Sequence, residues 1–376
     1  MTPKLQKFLS RGDIQAPCLV VDLDVIETNY RRLRSVMPRA EIFYAAKANP
    51  AAPILRRLVA LGSSFDAASH MEVAECLAAG ADPARISYGN TVKKERHIAA
   101  AFADGVTLFA FDSLEELEKL GRAAPGARVY CRVLVENEGA DWPLSRKFGC
   151  SPEMARDLMM RAVDLGLVPH GISFHVGSQQ THADRWEAAI AQVAMIFTDL
   201  RDAGLDLKML NLGGGYPVRY KDPIPPLETY GDAIEAALHR HFGNRIPDII
   251  MEPGRAIVAD AGVMLSEVVL VSRKAETETA RWVYLDVGMF GGLAETMGEA
   301  IRYRFETDRD GDAQGPVVIA GPTCDGADIL YENTPYQMPL SLRAGDLVRI
   351  PATGAYTTTY AAQNFNGFKP MREYYV

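Results

Sequence analysis

The sequence lacks several things, and each absence narrows the field. No apolar run approaches the roughly 18 residues that a membrane helix needs, so no membrane partner is expected. The opening stretch MTPKLQKFLSRGD is charged and has no apolar core, which predicts no secretory signal. There is no basic run, and the formal net charge is −8, so nucleic acid and anionic membranes are not expected partners. Cysteine is scarce: Cys18, Cys76, Cys131, Cys150 and Cys324 are odd in number, widely spaced and without a CxxC pair. That predicts free thiols in a reducing cytoplasm, not a disulfide frame or a zinc site. No HExxH and no clustered His/Asp set is present, so no metal is expected. No GK[ST] follows the glycine-rich stretch, and no GxGxxG follows the first strand, which disfavours a nucleotide P-loop and a dinucleotide fold. Internal repeats, low-complexity tracts and long linkers are also missing.

What remains is the ordinary composition of a globular protein, long enough for one large domain and a smaller one. Up to about residue 260, short apolar runs alternate with longer amphipathic ones. The strand candidates are EIFYAAKA (41–48), SSFDAAS (63–69), RISYGN (85–90), TLFAFD (107–112), RVYCRVLVE (128–136), HGISFHVGS (170–178), KMLNLGGG (208–215) and DIIMEPGR (248–255). Helical stretches such as 113–122 and 151–165 separate them, each opening on a serine that can cap the first turn. Eight such alternations predict an α/β fold, a (β/α)8 TIM-like barrel over 24–261, with a doubly wound open sheet as the runner-up. From residue 262 the texture becomes β-rich with Gly and Pro turns. It predicts a mostly antiparallel β domain of 262–376, joined by an N-terminal strand from 1–23, APCLVVDL (16–23).

Strand alternation puts Phe43, Ala45 and Lys47 on one face. If that face is inward, Lys47 stands at the C-terminal mouth of the barrel, where active sites of this fold lie. Other strand ends contribute Asp66, His175, Ser178, Gly213 to Gly215, Glu252, Gly254 and Arg255. In GGGYP (213–217), Gly214 and Gly215 let backbone N–H groups approach an anion. In EPGR (252–255), Arg255 is placed to clamp a phosphate bidentately. A phosphate cradle, an amine and a carboxylate in one mouth are the parts that pyridoxal 5'-phosphate requires. Glu252 would hold the ring nitrogen and His175 would lie against the ring. Asp66 is a cofactor or substrate contact, or a hydrogen bond of the barrel mouth.

The ordered series YAAKANP, SSFDAAS, ISYGNT, DWPLSRKFGC, GISFHVGSQQ, NLGGGYP, EPGRAIVA, GPTCDGADIL, TGAYTTTY and FNGF resembles the fold-type III, alanine-racemase-like pyridoxal phosphate decarboxylases. Within them it is most similar to the short bacterial ornithine decarboxylase group. The resemblance implies that Lys47 carries the cofactor, that His175 stacks on its ring and that Glu252 holds its nitrogen. It places Ser178, Gly214, Gly215, Arg255 and Tyr356 around the phosphate. It implies a homodimer with shared sites, Cys324 and Asp325 reaching into the neighbouring subunit's site. It further implies a basic amino acid substrate, L-ornithine first, giving putrescine and CO2 for polyamine biosynthesis, and L-lysine second. Cys324 is the candidate proton donor. Asp325, then Glu299, are the candidates for the distal ammonium, Phe290 is a further substrate-binding candidate, and Asp328 is read as a local hydrogen-bonding residue. The family's bacterial pattern ETMDEA reads ETMGEA here, with Gly298 in place of an acid. The longer eukaryotic forms carry a tyrosine near Phe290 and an arginine near Pro143, which this chain lacks, and their C-terminal extension is not expected here. Diaminopimelate decarboxylase is disfavoured by CDGAD, a racemase by Glu252, and a non-catalytic decarboxylase-like regulator by the joint presence of Lys47, Glu252, Arg255 and Cys324.

Overall fold

The computed structural model describes residues 1–135, 140–142 and 147–376. Glu136, the expected end of the fifth barrel strand, and Pro143 lie outside the described residues. Two compact units emerge, Glu27–Pro217 with Ile224–Gly254, and Met1–Ile26 with Val218–Pro223 and Arg255–Val376. The second unit therefore holds 24–26, 218–223 and 255–261, which the sequence reading grouped with the barrel.

After β1 (Cys18–Val21), which belongs to the second unit, the barrel unit begins. Its strands are β2 (Ala40–Ala45), β3 (Ser64–Ala67), β4 (Ile86–Tyr88), β5 (Leu108–Phe111) and β6 (Arg128–Arg132). β7 (Ala140–Trp142), β8 (Val168–Ser173), β9 (Ser178–Gln180), β10 (Met209–Asn211) and β11 (Asp248–Met251) follow. All but β7 and β9 close a parallel barrel in the order β10-β11-β2-β3-β4-β5-β6-β8. β7 and β9 form a separate antiparallel pair. Phe43, Leu108, Ala110, Tyr130, Met209 and Ile250 come from five strands and pack into one buried cluster, as a closed barrel requires. Burying a side chain such as Phe43 stabilises by roughly 1.5–3 kcal/mol. The outer helices start where serines satisfy their first N–H groups. Ser113 accepts from Glu116 N at the start of Leu114–Ala123, and Ser151 accepts from Met154 N at the start of Pro152–Asp164.

Every barrel strand ends earlier than its apolar run. β2 stops at Ala45, and Ala46–Ala48 turn as a 3-10 helix. Lys47 thus leaves the strand alternation and is exposed.

The second unit is an eight-stranded sheet. β12 (Gly262–Ser272), β13 (Arg281–Leu285), β14 (Glu306–Thr307), β15 (Gln314–Ala320), β16 (Ile329–Pro339) and β17 (Leu347–Pro351) lie in the order β14-β17-β12-β13-β15-β16. β1 joins it against β12, with β18 (Arg372–Tyr375) on its other side. Pairings are antiparallel except β13–β15 and β1–β18. Leu5, Cys18, Val20, Val263 and Leu265 form a core at the N-terminal strand. Among the described residues, no helix is long and apolar enough to cross a membrane.

Candidate active site

The C-terminal ends of the barrel strands gather charge. Asp66, near the end of β3, is 4% exposed, and its Oδ1 is buried with no hydrogen-bond partner. Burial first, and the Glu252 carboxylate second, push its carboxyl well above the usual range, while the Lys47 ammonium opposes them. Glycine at 89 makes this possible, since a Cβ there would stand 1.9 Å from Asp66 Oδ1. Lys47 also acts on Glu72, whose Oε2 accepts the Ala68 N–H at 2.7 Å.

His175 follows β8. Its Nδ1 accepts the Gly177 N–H at 3.1 Å, which puts the proton of the neutral ring on Nε2. Burial, then Arg132 and Lys47, hold it well below its ordinary pKa, so the ring is neutral. Glu252 follows β11, and the Asn211 amide donates to its Oε1. Burial works against the charge of Arg132, and Glu252, Asp112 and Asp66 support it.

Glycine at 213, 214 and 215 has a packing reason. A Cβ would meet Phe174 O at 2.2 Å, Glu252 O at 2.6 Å and Gly177 O at 2.3 Å respectively. The loops after β8, β10 and β11 are therefore cinched together through bare backbone. Gln180 N–H donates to Gly215 O at 2.8 Å, which sets the segment of Ser178 beside this cradle. Gly254 does the same for the Lys47 turn: its Cβ would come within 2.8 Å of Ala48 Cβ, and Pro253 O accepts the Ala45 N–H.

The β unit holds the other expected residues. Arg255 opens the short helix Arg255–Val258 and is buried. The bidentate clamp expected of it is already filled: Nη1 and Nη2 donate to Glu295 at 2.7 and 2.5 Å, and Nη1 also donates to Tyr220 Oη at 2.6 Å. Its guanidinium carbon lies 4.9 Å from the Tyr356 ring centroid, and Tyr356 is held at φ +54°. Cys324 is exposed, whereas the other four cysteines are buried, so it is not a small core hydrophobe. Asp325 is also exposed and accepts the Ala327 N–H at 2.9 Å. Phe290 lines a pocket with Pro322, Thr323, Phe365 and Phe368.

Two acids are used up locally. Asp328 is 2% exposed and accepts from Met289 N, Thr323 N and Thr323 Oγ1, the local role expected of it. Glu299 accepts from the backbone N–H groups of Glu332, Asn333 and Thr334 and from Thr334 Oγ1. With four donors on its two oxygens it binds the backbone of β16 where the register against β15 shifts, which argues against its expected part in holding a substrate ammonium. Sequence reasoning missed Glu72, Arg132, Asn211 and Glu295. Asn211 stood within a quoted motif, and Glu295 stood four residues from Glu299. Burial of their polar ends is the signal, and only a structure carries it.

These residues fit a pyridoxal phosphate group: an accessible amine, a carboxylate, a neutral imidazole and a buried carboxyl oxygen that lacks a partner. Residues 23–259 match the family model described as pyridoxal-dependent decarboxylase, pyridoxal binding domain. The chain is 36% identical to a lysine/ornithine decarboxylase of Selenomonas ruminantium, over 94% of this chain and 88% of that protein. It is 31% identical to the ornithine decarboxylase of Schizosaccharomyces pombe, over 95% of this chain and 82% of that one. A crystal structure of the lysine/ornithine decarboxylase of Vibrio vulnificus complexed with cadaverine superposes with a TM-score of 0.89 at 32% identity, covering 100% of this chain and 99% of that chain.

Proposed function

We propose, from the premise that this chain belongs to the pyridoxal-dependent decarboxylase family, that it releases CO2 from a basic amino acid, with L-ornithine preferred and putrescine the product. The observation that carries this reading is the gathering of Lys47, Asp66, His175 and Glu252 at the ends of the barrel strands. Lys47 would hold pyridoxal phosphate through its amine. Ser178, Gly214 and Gly215 would hold the phosphate, and Gly254 would keep the Lys47 turn in place beside the cofactor; Arg255, whose Nη atoms already serve Glu295 and Tyr220, would hold the Tyr356 ring in place of clamping the phosphate. Glu252 would meet the ring nitrogen. The bound cofactor supplies a sink for the electron pair left when CO2 departs. His175 is neutral and presents a flat ring without adding charge. Asp66 offers a carboxyl oxygen to a polar group of the cofactor or substrate.

The Cys324 thiol would deliver a proton to the product carbon, and Asp325 would pair with the distal ammonium, both in the site of a second copy of the chain. Homodimerisation is part of this reading, and the exposure of both residues supports it. The five free cysteines favour a reducing compartment, the cytoplasm. A second reading, lysine or dual activity, is favoured by Gly298. It sits at φ +62°, and an added Cβ would meet nothing within 4 Å, so no side chain fills the place where the resemblance puts an acid. The similarity to lysine/ornithine decarboxylases points the same way.

The test is CO2 release from ornithine, lysine, arginine and diaminopimelate by the holoenzyme, compared as kcat/KM. Highest kcat/KM for ornithine supports the first reading, and equal or higher for lysine the second. Release from none of them overturns the function.

A further inference from the structure

Asn211 ends β10 and is 1% exposed. Its amide carries one acceptor oxygen and one donor NH2 group. The Gly213 N–H can only donate, and it lies 2.9 Å from Asn211 Oδ1. That bond settles which way round the amide sits. The NH2 group must then face Glu252, and Nδ2 donates to Glu252 Oε1. On the third side, Glu252 N–H donates to Gly213 O at 2.8 Å. Asn211, Gly213 and Glu252 thus close a ring of hydrogen bonds that joins the loop after β10 to the loop after β11. No other residue fits at 213, with φ at +64° and the Phe174 carbonyl 2.2 Å from where a Cβ would be.

Two of these bonds do not require an amide. The Gly213 N–H would be satisfied equally by an aspartate at 211, and the Glu252 N–H bond is backbone to backbone. Only the bond to the Glu252 carboxylate requires a donor at this place. A free glutamate side chain samples several rotamers, and a donor on one oxygen removes that freedom. We propose that Asn211 is the positioning residue for Glu252, fixing the carboxylate that meets the ring nitrogen of the cofactor. The inference rests on the reading of Glu252 given above.

The test uses Asn211→Asp, Asn211→Ala and Glu252→Gln beside the wild type. Asn211→Asp keeps the shape and the Gly213 bond, removes the donor and sets two carboxylates against each other. Asn211→Ala removes both side-chain bonds. Dissociation constants are measured for pyridoxal phosphate and for its carbocyclic analogue, in which the ring nitrogen is replaced by CH. The readout is the preference for the nitrogen-containing ring, which a merely structural role would leave unchanged. Both Asn211 variants are expected to reduce that preference by about tenfold or more, the scale of one hydrogen bond to a charged group. In turnover, kcat falls while KM changes little. Equal weakening toward both ligands makes Asn211 structural and overturns the inference. If Glu252→Gln erodes the preference and Asn211→Asp does not, the positioning role alone fails. If Glu252→Gln leaves the preference unchanged, the reading of Glu252 fails, and the inference with it. Should Asn211→Ala not fold, Asn211→Asp decides the matter.

Discussion

Arg255 and Glu295 face each other as a buried, doubly hydrogen-bonded ion pair, with Tyr220 on one guanidinium nitrogen and the Tyr356 ring against its face. Forty residues separate them in sequence. The pair joins the start of the helix Arg255–Val258 to the turn Ala294–Glu299.

A buried charge that loses its partner costs about 3–5 kcal/mol, whereas replacing both with apolar groups is often neutral. Arg255→Met and Glu295→Leu are therefore each expected to lower stability strongly, and the double variant to recover most of the loss. Urea unfolding of the three variants checks this. Additive losses would mean that the two side chains do not act as a pair.

Lys47→Ala is expected to abolish turnover while the fold survives, because Lys47 lies exposed in a short turn and not in the core. Borohydride should trap the cofactor on a Lys47 peptide of the wild type and on no peptide of the variant, as read by mass. Near-normal steady-state activity in the variant would falsify the assignment.

Shared sites make a quantitative prediction. Lys47→Ala and Cys324→Ala homodimers should each be inactive or nearly so. Mixed subunits give about half heterodimers by binomial pairing, each with one intact site, so recovery should approach about a quarter of wild-type activity for a symmetric dimer. Baseline activity, with subunit exchange established by mass, would place a complete site within each subunit.

His175 is expected to remain neutral, with its proton on Nε2, at pH values where an ordinary histidine of pKa 6.5 is largely protonated. Nitrogen-15 NMR of the labelled protein reads this directly. A His175 titration near 6.5 would contradict the burial and the neighbouring Arg132 and Lys47 charges as causes.

Lys93 provides a pH signature of stability. Its ammonium is buried and donates to Asn90 O and Ala110 O, with Glu116 2.9 Å away. Burial, opposed by Glu116, brings it from 10.5 down to about 8. Between these values the unfolded chain binds the proton and the folded chain does not, so raising the pH through this window favours folding at this site. Wild-type stability relative to Lys93→Met should therefore rise from about pH 8 toward pH 10.5. A difference that is flat, or that falls, would show that Lys93 keeps its proton in the fold.

Local chemistry determined most of the architecture. Eight apolar runs spaced by amphipathic stretches pointed to a parallel sheet buried on both faces, with the barrel ahead of an open doubly wound sheet because no GxGxxG follows the first strand. The texture after 262 pointed to a mostly antiparallel sheet, and serines marked where helices began. The residues at strand ends were legible for the same reason, since polar groups cannot sit inside an apolar strand without a task. The tertiary structure decided where the pattern stopped. Lys47 turns out of the strand at Ala45, because the Gly254 loop packs against that turn. Glycine at 213–215 is required by three neighbouring carbonyls, a packing demand that no spacing announces. The partners of the functional groups were invisible in sequence for one physical reason: a hydrogen bond is chosen by distance in space. Glu295 took Arg255, Asn211 took Glu252, and Glu299 went to the backbone of 332–334, although each acid looked equally available along the chain.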